Sequence, residues 1–301
     1  MNDKKKPRLL VTGASGFLGW TLCQKAIKAW DVIGTLYRHP VDLPGVTMCK
    51  VDLTEYTLLK DLFSTIRPDT VIHTAALSDP NYCQEHPKES ELINVNASAN
   101  IAKLCAKYCI PCVFTSTDLV FDGKNAPYSE SSPVNPISIY GEQKARAEIA
   151  IQKYNPMTIV CRLPLMFGVD SPVSHGFFIQ MLHKMKNREE VKLFIDEVRT
   201  PVSTEEAANG LILSLQYKHG TTLHLGGKER ISRWDFGKLV AELYGMKYAH
   251  LIPCRLADEP MPAPRPHDVS LDSSKAKEIG YTPRKLREQL CSFPLGTFEE
   301  K

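Results

Sequence analysis

The run LLVTGASGFLGW, residues 9–20, limits the fold of this chain more than any other stretch. An apolar segment ends on Gly13, Gly16 and Gly19, spaced G-x-x-G-x-x-G, and an amphipathic run follows. A strand that turns this tightly into a helix needs residues without a Cβ. The backbone then approaches a pyrophosphate closely, and the free N–H groups of the helix N-terminus point at its charge. Glycines at that junction imply a dinucleotide-binding unit rather than a merely structural turn.

The segments that follow keep the same rhythm. Short apolar runs at 8–13, 31–37, 46–52, 70–76, 111–117 and 157–163 alternate with longer amphipathic ones, the pattern of βαβ units. Their apolarity is continuous rather than alternating, so both faces are expected to be buried in a parallel sheet. With 301 residues and 43% hydrophobic composition the chain has material for a large core. The expected fold is α/β: a Rossmann-type doubly wound parallel sheet over 1–165, followed by a smaller C-terminal α/β substrate lobe mainly over 166–301. Segments around 191–225 are expected to return to the sheet.

Charge excludes some functions. Lys and Arg number 37 against 34 Asp and Glu, and the basic run Lys4, Lys5, Lys6 reads as a solubilising tail, so nucleic acid is not an expected partner. No apolar run reaches the length of a membrane span, and MNDKKKPRLL lacks the apolar core of a secretion signal, so a cytoplasmic protein is expected. The nine cysteines form no regular framework and read as small core residues.

Two further patterns bear on chemistry. The second strand ends LYRHP, with Arg38 and His39 and no acid; an acid there would hold a ribose 2′-hydroxyl, whereas arginine suits a 2′-phosphate, so NADP(H) is the expected cofactor. In SIYGEQKA, Tyr140 and Lys144 are four apart and share a helix face. A cation beside a phenol favours phenolate and brings the group into acid–base range. Taken alone, the spacing fits a half-buried tyrosine and a solvated lysine better than a reactive pair.

The motifs TGASGFLG, VDL (51–53), HTAA (73–76), STDLVFDG (116–123), YGEQK (140–144) and RLPLMFG (162–168) occur in the order seen in extended short-chain dehydrogenases/reductases. The chain most resembles their dTDP-4-dehydrorhamnose reductase branch, which also includes the regulatory β subunit of methionine adenosyltransferase. The resemblance implies that Gly13, Ser15, Gly16, Phe17 and Leu18 line the pyrophosphate, and that Tyr37, Arg38 and His39 meet the adenosine ribose phosphate. It places Asp52 and Leu53 at the adenine, and Thr74, Ala75, Ala76 and Leu163 along the rest of the cofactor. Thr117, Tyr140 and Lys144 would be catalytic, with Lys144 also holding the nicotinamide ribose and lowering the Tyr140 pKa. Arg199, Thr200 and Arg265 are the implied contacts to a nucleotide-sugar. The implied activity is NADPH-dependent reduction of a 4-keto group on a nucleoside-diphosphate deoxysugar. A regulatory subunit of the same fold and a sugar-nucleotide epimerase are the alternatives, and a homodimer is left open.

Asn81 and Gln84 stand where relatives carry acids, which removes the carboxylates that Mg²⁺ requires. Turnover and assembly are therefore expected to survive a chelator. A large loss in EDTA, restored by Mg²⁺, would contradict this.

Overall fold

The apolar runs of the first half meet in one sheet because helices cover both of its faces. The computed structural model describes residues 5–293 apart from 170, 175 and 218. Strands β1 (Arg8–Thr12), β2 (Asp31–Leu36), β3 (Val46–Lys50), β4 (Thr70–His73), β5 (Cys112–Thr117) and β6 (Ile159–Leu163) pair in parallel, joined beside β6 by strand Thr221–His224. The order across the sheet is Thr221–His224, β6, β5, β4, β1, β2, β3. Of the segments around 191–225, Thr221–His224 lies in this sheet. Glu190–Phe194 instead pairs in parallel with His250–Cys254 in the C-terminal part.

Successive residues of a strand serve opposite faces. Leu9 and Val11 of β1 pack with Leu22 of helix α1 (Phe17–Ala26) and with Ala207 and Leu211 of the helix Thr204–Ser214. Leu10, between them, joins Leu59 and Phe63 of the helix Tyr56–Ile66, and Ile101 and Leu104 of the helix Ser98–Lys107. The strand order reverses at β1, with β2 and β3 on one side and β4 to β6 on the other. Loops leaving the carboxyl ends of β1 and β4 diverge there and open a crevice.

A separate core closes the far side of that crevice. Phe167 packs its ring against Phe178, Phe236 and Phe293 at 5.7, 5.5 and 5.9 Å between centroids. Short strand pairs, Met166–Phe167 with Val202–Ser203 and Val198–Arg199 with Ile231–Ser232, tie this lobe to the end of the sheet. No helix among the described residues is long and apolar enough to cross a membrane.

The helix Ile139–Tyr154 lies over β5 and β6, with Ala147 and Ile151 packed on Phe114 and Val160. Its Glu148 is buried and takes two hydrogen bonds from Arg162 of β6, at 3.0 and 2.7 Å. The Arg162 guanidinium also lies 5.1 Å from the centre of the Phe121 ring. Breaking a buried pair leaves one charge uncompensated, so Glu148→Gln is expected to lower the unfolding free energy by about 3 kcal/mol. Equilibrium urea unfolding checks this; an unchanged midpoint would mean that the pair does not anchor the helix.

Candidate active site

The turn after β1 permits a close approach. Gly13 has φ +71°, and a Cβ there would lie 2.7 Å from Ala75 Cα. Helix α1 follows with no side chain bonded to its N-terminal N–H groups and no acid in its first turn. Those donors and the positive end of the helix dipole suit a pyrophosphate. A groove lined by Gly13, Ser15, Gly16, Tyr37, Arg38, His39, Asp52, Leu53, Thr74, Ala75 and Ala76 runs from this turn across the end of β2. On the other side it continues into a cleft lined by Gly13, Gly16, Phe17, Leu18, Thr74, Ala76, Thr117, Tyr140, Lys144, Leu163, Arg199 and Arg265. The four residues shared by the two, Gly13, Gly16, Thr74 and Ala76, make one continuous path that reaches Tyr140.

Thr200 lies outside both. Its Oγ1 accepts from the Leu271 N–H at 3.2 Å and its carbonyl accepts from the Gly227 N–H at 2.9 Å. Adjacent residues in extended backbone point opposite ways, so the turn that brings Arg199 to the cleft sends Thr200 into the protein.

The helix Ile139–Tyr154 is set by local chemistry. Ser138 Oγ accepts from the Gly141 N–H at 3.2 Å and caps it. Gly141 sits against the Leu119 carbonyl, where a Cβ would collide. That contact brings Tyr140 beside the turn that carries Thr117. Gln84, one of the two amides in place of acids, bonds the Ile139 N–H at 3.1 Å, and Asn81 bonds the Ala263 N–H at 3.3 Å. Both side chains accept from backbone N–H groups, and among the described residues no group of three or more His, Cys, Asp or Glu is arranged around a common point.

Electrostatics correct one expectation. Burial pushes the Tyr140 phenol upward, Cys83 and Asp118 add to this, and a hydrogen bond with Thr117 works against it. Lys144 does not offset that burial. It is itself buried, its ammonium lies 4.1 Å from the centre of the Phe114 ring, and burial lowers its pKa to about 7 against the upward pulls of Glu148 and Cys83. A phenolate taken out of water is costly, so Tyr140 is held as a protonated phenol.

Several participants carry no motif. Asn94, in a π-helical turn at Leu92–Ala97, receives the Leu77 N–H at 2.9 Å and donates to Gln143 Oε1 at 2.9 Å. It thereby ties the loop after β4 to the helix Ile139–Tyr154. Glu89, also in the groove, pairs with Arg38 at 3.3 Å and receives the Tyr82 hydroxyl at 2.7 Å. The acid missing from the end of β2 is thus supplied from a distant helix. Asp52 is held below its usual pKa: burial works upward but is outweighed by hydrogen bonds from Thr54 and Tyr37.

At the far wall, buried Arg199 bonds Glu197 at 3.0 Å and lies 3.5 Å from Asp118. Arg233 stacks on Phe177 at 3.9 Å. Arg233 NH1 and Arg265 Nε are enclosed without a hydrogen-bond partner among the described residues.

A family model described as the RmlD substrate binding domain matches residues 7–294. The chain belongs to that family. Within it, the β subunit of methionine adenosyltransferase 2 from Xenopus laevis is 28% identical over 299 residues, covering 95% of this chain and 88% of that one. The crystal structure of a dTDP-4-dehydrorhamnose reductase from Clostridium acetobutylicum is 28% identical with a TM-score of 0.83, covering 95% of this chain and 98% of that one. A dTDP-4-dehydrorhamnose reductase from Bacillus anthracis, solved in complex with NADP, is 22% identical with a TM-score of 0.85, covering 96% and 98%. The chain is thus similar both to a methionine adenosyltransferase 2 subunit and to a dTDP-4-dehydrorhamnose reductase.

The groove predicts tighter binding of NADPH than of NADH, because Arg38 can leave Glu89 for a 2′-phosphate. Arg38→Asp is expected to reverse much of the preference, a guanidinium–phosphate contact being worth about 2 kcal/mol. Equal dissociation constants for the two cofactors on the wild-type protein, by fluorescence titration, would rule it out.

Proposed function

We propose that this chain is an NADPH-dependent reductase of a 4-keto group on a nucleoside-diphosphate deoxysugar. The observation that carries the reading is the meeting of Thr117, Tyr140 and Lys144 in the cleft where the dinucleotide groove ends. A bound nicotinamide supplies the hydride. Tyr140, kept protonated by its burial, donates a proton to the carbonyl oxygen as negative charge grows there, a role worth roughly 10² to 10⁴ in rate. Thr117 adds a hydrogen bond to the same oxygen. Lys144 holds the nicotinamide ribose and orients the reacting face. The enclosed donor of Arg265, which lines the cleft, suits the phosphates of the sugar nucleotide.

A second reading is favoured by the methionine adenosyltransferase relative, which is as similar in sequence as the reductase. In that reading the chain binds the dinucleotide and regulates a partner, with little chemistry of its own.

Tyr140→Phe separates the two. It keeps the ring and removes the hydroxyl, so NADPH affinity is expected to hold while turnover of a 4-keto sugar nucleotide falls by at least roughly a hundredfold. Stopped-flow NADPH oxidation across a panel of nucleotide-linked 4-keto sugars gives the answer. A phenylalanine variant as fast as wild type would remove Tyr140 from the mechanism; no turnover of any sugar by wild type would favour the regulator.

A further inference from the structure

Thr117 has one hydroxyl proton, for which Asp118 and the Tyr140 oxygen compete. Its Oγ1 donates to Asp118 Oδ1 at 3.2 Å and accepts from the Leu119 N–H at 3.2 Å. A hydroxyl so engaged has no proton left for a ligand in the cleft. Asp118 is only 3% exposed, lines the same cleft, and its Oδ2 has no hydrogen-bond partner among the described residues. Its cation, Arg199, stands 3.5 Å away and spends its other donors on Glu197 and on the carbonyls of Val198 and Pro266. A buried carboxylate with an empty oxygen and a shared counter-ion is poorly compensated.

We propose that Asp118 is a positioning residue whose protonation state decides whether Thr117 can serve the substrate oxygen. As a carboxylic acid, Asp118 donates from Oδ1 to Thr117 Oγ1, and the threonine proton turns into the cleft. As a carboxylate, it accepts the threonine hydrogen bond again, and the hydroxyl turns away from the cleft. The exchange balances with one proton: Asp118 loses it to solvent through the cleft, the charge left behind faces Arg199, and only the O–H bond of the carboxyl breaks. This rests on the reductase reading above.

The groups that set the balance are known by name. Burial lifts the Asp118 carboxyl to about 6; Arg199 and the Thr117 hydrogen bond pull it down, and Glu197 pushes it up. Across the cleft its neighbour is the neutral phenol of Tyr140, on which Cys83 also acts. An acid raised in this way is protonated below its folded value and ionises as pH rises through it. The assisted step is therefore lost toward high pH.

The test is the pH profile of kcat for wild type and Asp118→Asn on a verified 4-keto sugar nucleotide. In the variant, Arg199 draws the amide oxygen, and the amide N–H is left as a permanent donor to Thr117. Wild-type kcat is expected to fall about tenfold per pH unit above about 6 until the unassisted rate is reached. The variant is expected to lack that limb and to exceed wild type at pH 8. The same limb in both proteins overturns the proposal, as does a variant that binds NADPH normally yet is slow at every pH. Infrared spectra of the substrate-free full chain give a second readout: a carboxylic acid band, absent from the variant, that disappears as pH rises through about 6. No such band at pH 5 also overturns it. Because the band needs no substrate, a chain that shows it while reducing no sugar would sink the reductase reading alone.

Discussion

On the helix Ile139–Tyr154, Tyr140, Lys144 and Glu148 follow one another at intervals of four, and all three are buried. Taking ionisable groups out of water costs several kcal/mol each unless something compensates, so this stripe dictates much of what surrounds it. Glu148 is answered by the two-pronged contact from Arg162, which clamps the helix to β6. Lys144 is answered by the face of Phe114 and by a weakened hold on its proton. Tyr140 is answered by remaining a phenol. One solution gives rigidity, the second an ammonium that a ligand can still recruit, and the third a loaded proton donor at the edge of the cleft.

The opposite wall meets the same problem with charges from the other lobe. Asp118 and Glu197 share Arg199, while Arg265, and Arg233 stacked on the cleft residue Phe177, each keep an enclosed N–H group that no atom of the described residues satisfies. These guanidiniums are held by packing, as on Phe177, and by the short strand pairs that join the lobe to the sheet. The cleft is thus polar on two walls whose charges are buried for different reasons. The first wall is fixed by the helix over the sheet. The second depends on how the two lobes are sewn together.

The parts of the fold and site that could be read from the sequence rest on local physics. Continuous apolar runs require two-sided burial, and the strands they mark do form the parallel sheet. The spacing of Gly13, Gly16 and Gly19 requires a tight turn into a helix, and Tyr140 and Lys144 share a face because the helix repeat puts them there. Thr200 was misread for an equally local reason: proximity to Arg199 in sequence says nothing about which way an extended residue points. The expectation that Lys144 would govern Tyr140 failed because adjacency on a helix does not reveal how dry the site is.

By itself, then, the sequence determined the sheet, the tight turn after its first strand and the shared helix face of Tyr140 and Lys144, since each follows from periodicity or from the steric needs of a few neighbouring residues. Only the tertiary structure decided that Glu89 reaches Arg38 from 51 residues away, that Asn94 ties a loop to the helix Ile139–Tyr154, and that Asp118 shares Arg199 with Glu197. Those contacts bring together side chains from separate turns and strands. Their energies depend on burial and on distances of a few ångströms, quantities that come into being only when the two lobes close on one another.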